Sequence, residues 1–155
     1  MTFALAFLIG FMAGLRSLMP PAAVAWAAHL GWLKLQGFLA LMGSLPAVAL
    51  FTLAAIAELA VDKSPKVPNR TSAPGLVARL LTGGGMGACI AAAGGQDLVL
   101  GIALGALGAV AGAFAGYQAR KRLAQALRVP DFYIALVEDL ATVAGCVWIV
   151  SLAGR

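Results

Sequence analysis

Residues 3–31 read FALAFLIGFMAGLRSLMPPAAVAWAAHLG, and the reading of this stretch decides the fold. It is apolar throughout except near its middle, where Arg16 and Ser17 are followed by Met19-Pro20-Pro21. It is too long for one simple crossing, because a membrane helix needs about 20 apolar residues. A proline pair removes two backbone donors and clashes with the preceding turn. The segment is therefore either one span kinked at Pro20-Pro21 or two half-helices, about 3–16 and 21–33. Broken helices persist in a bilayer only where protein or a wet cavity satisfies the freed backbone groups.

The rest of the chain sets this segment in a membrane. Of 155 residues, 62% are hydrophobic and 11% are charged. The mean hydropathy is +0.95. So few charges cannot cover a water-soluble globule of this length, which ordinarily carries about a quarter. Residues 1–155 suit a single all-α domain, a polytopic transmembrane helical bundle. Four further apolar stretches follow the first, at about 38–60, 74–93, 98–117 and 131–153. Pro46 falls in the first turns of the second span, and Pro74 suits the first turn of the third. The count is then five spans with the first broken at Pro20-Pro21, or six elements if the first segment is two half-helices. Six elements divide into three plus three, the plan of an inverted repeat. A short likeness between residues 76–82 and 136–142 (LVARLLT and LVEDLAT) is the one internal echo.

The net charge of +5 comes from 11 Lys and Arg against 6 Asp and Glu. These bases form no long face to follow phosphates, so nucleic acid is not an expected partner. They gather in residues 61–73 (Lys63, Lys66, Arg70) and 118–130 (Arg120, Lys121, Arg122, Arg128), whereas 94–97 holds none. Positive-inside logic puts 61–73 and 118–130 in the cytoplasm and the C-terminus outside, with Lys34 a minor exception. The N-terminus is inside if residues 3–31 cross once and outside if they form two short crossings. Trp26, Trp32 and Trp148 belong to the outer interface, and Tyr117, Phe132 and Tyr133 to the inner one. No base precedes Arg16, so the first segment lacks the charged start of a secretory signal and reads as a retained membrane segment. His29, between two tryptophans, reads as interfacial.

Glycines mark the packing faces. Gly101, Gly105, Gly108, Gly112 and Gly116 step by three or four along the fourth span and form one stripe. Gly10 and Gly14 repeat that spacing in the first segment. A stripe without side chains lets another backbone approach, and close packing is what joins helices in lipid. The partner is another helix of the chain or a second copy, so a homodimer is one expectation.

The chemistry belongs to charges placed inside the membrane. Arg16, Glu58, Asp62, Arg79, Glu138 and Asp139 are the candidates for substrate binding or proton coupling. A lone charge at the bilayer centre costs at least about 2.5–3.5 kcal/mol, so such groups pair with each other or meet water. Arg79 is expected to neutralise Glu138 or Asp139, with Arg16 joining if its break lies on the inner side. Adjacent on a helix, Glu138 and Asp139 point about 100° apart, so one pairs while the other faces a cavity. The loop 62–70, with two prolines among its bases, reads as a topology-setting loop beside anionic lipid or a cradle for a headgroup phosphate. Cys89 and Cys146 lie in apolar segments without ligand spacing and read as small buried residues. No metal-ligand spacing, activated nucleophile or phosphate loop is present, so no cofactor, metal or catalytic residue is assigned.

On Gly14-Leu15-Arg16-Ser17 followed by Pro20-Pro21, the stretch from Glu58 to Arg70, and Pro130-Asp131 leading to Glu138-Asp139, the chain resembles a family of small bacterial inner-membrane proteins, the domain of unknown function 4126. The resemblance implies a polytopic membrane protein and lends no catalytic residue. Three functions compete. A transporter or permease of a small ion or small charged solute ranks first, on the broken segment and the intramembrane charges. A non-catalytic scaffold or subunit of a larger complex ranks second. An enzyme acting on lipid phosphate ranks third. Membrane lipids are expected neighbours in each case.

Overall fold

A computed structural model describes residues 1–61, 73–127 and 131–155, and among them the regular structure is helical throughout. The elements are α1 (Thr2–Leu15), α2 (Met19–His29), a 3-10 helix (Gly37–Gly43), α3 (Leu45–Val61), α4 (Ala73–Ala93), α5 (Leu98–Leu127) and α6 (Asp131–Ala153). Ala73–Ala93, Leu98–Leu123 and Tyr133–Ala153 are long and apolar enough to cross a bilayer. The 3-10 helix and Leu45–Ala60 make a fourth such span if taken together across their 61° bend. The expected single span at 38–60 is therefore broken at Ser44, ahead of Pro46. The fourth stretch is longer than expected: α5 continues to Leu127, so part of the expected loop 118–130 is helix. Apolar side chains such as Leu53, Leu81, Leu107, Val137 and Leu140 are exposed on the bundle's outer surface, as a lipid-facing wall requires.

The glycine stripe builds the centre of the bundle. A Cβ at Gly10 would strike the Gly105 carbonyl, and one at Gly14 would strike the backbone of Ala109 and Ala113. Gly108 and Gly112 meet the backbone of Phe7 and Phe11 in the same way. On the other side of α5, Gly101 and Gly105 meet Gly87 and Gly83 of α4. Gly116 is buried at the C-terminal end of the stripe. The stripe is thus filled by two helices of the same chain and offers no free face to a second copy.

These pairings also fix direction. Gly10 lies against Gly105 and Gly14 against Gly112, so α1 runs parallel to α5. Thr2 meets Gly94, which puts the start of α1 beside the turn between α4 and α5. Arg16 meets Asp139 and Met12 meets Gly145, so α1 runs antiparallel to α6. Trp26 bonds Thr52 while Leu18 bonds Glu58, so α2 runs antiparallel to α3. Trp32 packs on Gly154, which places the end of α2 at the end of α6. Hence α1 descends from the end that carries 94–97, and α2 climbs back to it. The two alternatives for residues 3–31 resolve as a hairpin whose break is at 16–18, just ahead of the prolines rather than at them. Its arms, 14 and 11 residues long, are about 21 and 16 Å and fall short of a hydrocarbon core of about 30 Å. Neither arm by itself is long enough for a complete crossing.

Alternation of direction gives the two sets of three helices opposite senses. The short likeness of 76–82 to 136–142, however, falls on α4 and α6, which run the same way. It therefore does not relate inverted halves.

Candidate functional site at the hairpin tip

The hairpin tip brings together residues far apart in the chain. α1 ends in Gly14-Leu15, and the chain at Arg16 is extended, with φ −139° and ψ 118°. α2 then starts with both prolines in its first turn, where a missing N–H leaves no gap in the helix. Four backbone donors around the break have partners. The Arg16 N–H returns to the Met12 carbonyl at 2.9 Å. The Ser17 N–H donates to Glu58 Oε1 at 2.8 Å, and the Leu18 N–H to Glu58 Oε2 at 2.9 Å. Pro20 and Pro21 have no N–H, and the Ala22 N–H bonds the Leu18 carbonyl at 3.2 Å. A carboxylate at the start of a helix also meets the positive end of its dipole. Glu58, on the last turn of α3, thus performs for α2 what an N-cap side chain performs elsewhere.

The Arg16 side chain enters the bundle and is completely buried. Its Nη2 lies 2.6 Å from Asp139 Oδ1 on α6, whose side chain is also nearly enclosed. Two carboxylates, from α3 and α6, therefore hold one three-residue break. Asp139 follows Asp131 by eight residues, about 12 Å along α6. The tip accordingly lies about two helical turns inside the first described residue of α6.

Arg79 is buried, one turn before Gly83 on the face of α4 turned to α1 and α5. Its Nη1 reaches back to the Gly75 carbonyl at 3.4 Å. Arg16 is the residue set against Asp139, in line with the expectation that it joins the charge cluster. The hairpin carries Arg16 to the level of Asp139. Glu138 turns to the other side, as adjacent helical positions must, and lines a cavity of about 460 Å³ between α1, α5 and α6. Its carbonyl accepts a 2.8 Å bond from Oγ1 of the wholly buried Thr142. Asp62 and the loop 62–70 lie outside the described residues.

A second cavity, about 370 Å³, runs along α2 between α3 and α6, from Met19 at the tip to Trp32 at the outer end. Its lining is almost wholly apolar, Cys146 included, and suits hydrocarbon rather than a charged solute. His29, at the end of α2, has its Nδ1 2.9 Å from the Gly43 carbonyl and its ring edge-on to Trp26. Cys89 and Cys146 are both buried at about 1% exposure, as small core residues. Among the described residues no three His, Cys, Asp or Glu side chains gather into a metal site.

Sequence reasoning placed Arg16, Glu58 and Asp139 among six candidates but missed the role of Glu58. Its signal is indirect: Ser17 and Leu18 head a helix that carries no side-chain cap of its own. No curated protein and no solved structure matches the chain. The family model for Domain of unknown function (DUF4126) matches residues 3–153, so the chain belongs to that family.

Proposed function

We propose that this chain is a small transporter or permease for a small ion or small charged solute, with the hairpin tip as its working centre. The observation that carries the reading is the buried Arg16–Asp139 pair at the end of a hairpin. Non-helical backbone at membrane depth is tolerated where it is buried in protein or lines a wet cavity. Charges at that depth mark solute and proton pathways by default. Half-helices that meet inside a bundle are also the way many transporters expose helix ends to a solute. Glu138, on the cavity side of α6, is the proton-coupling candidate. Charge bias in the loops supports an inner-membrane protein with 61–73 and 118–130 in the cytoplasm. Both termini are then outside, the N-terminus because α1 and α2 return to the side they left.

A second reading has its own support. Asp139 holds Arg16 and Glu58 holds the Ser17 and Leu18 N–H groups, which is what a purely structural clamp in a scaffold or complex subunit would also do. Proteoliposomes separate the two. Flux of sodium, potassium, chloride, phosphate or acetate above that of empty vesicles supports transport, and Glu138→Gln then abolishes its dependence on pH. No flux of any probe, with one larger partner recovered at fixed ratio from native membranes, supports the scaffold. A homodimer would have to use a surface other than the glycine stripe, and mass measurement in detergent decides whether one forms.

A further inference from the structure

The cavity beside Glu138 has a second character that the transport reading does not use. It is an open groove between the inner halves of α1, α5 and α6. Its depths are apolar, with Phe11, Leu15, Ile134 and Val137 among the walls. Its mouth carries Arg120 and Tyr133. Arg120 follows Leu98 by 22 residues, about 33 Å along α5, whereas the hydrocarbon core is about 30 Å thick. The guanidinium thus leaves α5 at the depth of lipid headgroups, while the groove below it is at acyl depth. Lys121 and Arg122 add positive charge beside the mouth and are exposed. Tyr133 is 59% exposed and has the amphipathic ring suited to this interface. Glu138 lies five residues past Tyr133, about 7–8 Å deeper, where its charge repels a phosphate. An anion is thereby kept at the mouth and not drawn inward.

From this arrangement we infer that the groove is a binding site for one anionic phospholipid, with a chain against Phe11, Leu15 and Val137 and the phosphate at Arg120 and Tyr133. Basic pockets between transmembrane helices at the cytoplasmic side select such lipids in this way. A zwitterionic lipid brings an ammonium group that the bases at the mouth repel, and free phosphate lacks the chain.

Thermal unfolding of the purified chain in detergent tests this, with phosphatidylglycerol, phosphatidylcholine, glycerol phosphate and inorganic phosphate added in turn. Phosphatidylglycerol near saturation is expected to raise the Tm by about 5 °C or more, and phosphatidylcholine by much less. Arg120→Gln should remove the difference between the two lipids. Ala119→Trp, which fills the groove from an exposed position, should remove it as well. Lys121→Gln, beside the groove but not lining it, should keep most of it. An equal phosphatidylglycerol effect in all variants means general attraction to a basic surface and overturns the site. So does an equal effect of the two lipids on the unaltered chain. A rise with glycerol phosphate or inorganic phosphate as large as that with lipid overturns the lipid assignment.

Discussion

Asp139→Asn removes the charge that faces Arg16 while keeping the shape of the side chain. At 2.6 Å the gross attraction is about 6 kcal/mol for an effective dielectric of about 20. Desolvation of both ions cancels much of this, so the pair itself adds little net stability. The single substitution is different, because it leaves the Arg16 charge fully buried with its counterion gone. Breaking a buried pair from one side costs about 3–5 kcal/mol. That is a fall of roughly 150- to 5000-fold in the folding equilibrium. The assay is reversible unfolding in mixed micelles, followed by tryptophan fluorescence, for Asp139→Asn, Arg16→Met and the double variant Arg16→Met/Asp139→Leu. The double variant should be more stable than either single variant, with a coupling of about 1–3 kcal/mol. A loss under about 1 kcal/mol for Asp139→Asn, or a double variant at the sum of the singles, would refute the buried pair.

The other predictions concern the clamp and the core. Glu58→Ala should strip protection from the Ser17 and Leu18 amides in hydrogen exchange and lower stability by about 1–3 kcal/mol, the range for hydrogen bonds to a charged group. Unchanged exchange at those amides would remove Glu58 from the clamp. Gly105→Ala would put a methyl group into the Gly83 carbonyl and should cost several °C in Tm, whereas Gly85→Ala meets nothing within 4 Å and should be neutral or gain up to about 1 kcal/mol. Similar effects of the two would contradict the packing of α4 on α5. Cys89 and Cys146 should react with maleimide only after denaturation, as free cysteines at about 1% exposure, and prompt reaction of the folded chain would contradict their burial.

Much of this architecture could be read from residue order. The glycine steps of three and four predicted a backbone-to-backbone face, and α1 and α4 fill it. The expected apolar stretch at 131–153 is α6, described from Asp131 to Ala153. The interruption near Pro20-Pro21 was also legible, but its exact place was not, because prolines are comfortable in the first turn of a helix and so the break falls before them. The direction of the chain after the break depends on what holds Ser17 and Leu18, and that is Glu58, some 40 residues on. Local patterning carries no trace of so distant a partner. Arg16 was expected only to join a cluster around Arg79; its direct pairing with Asp139 follows from the hairpin, which brings it to that level.

Sidedness of the first 33 residues is therefore the most direct test. Single cysteines at Thr2, Leu30, Asp97 and Lys121, in a background with Cys89 and Cys146 replaced by alanine, can be labelled in sealed vesicles with a membrane-impermeant maleimide. The hairpin predicts that positions 2, 30 and 97 label from one side and 121 from the other. Labelling of positions 2 and 30 from opposite sides would mean that the segment crosses the membrane, and the clamped tip would not exist.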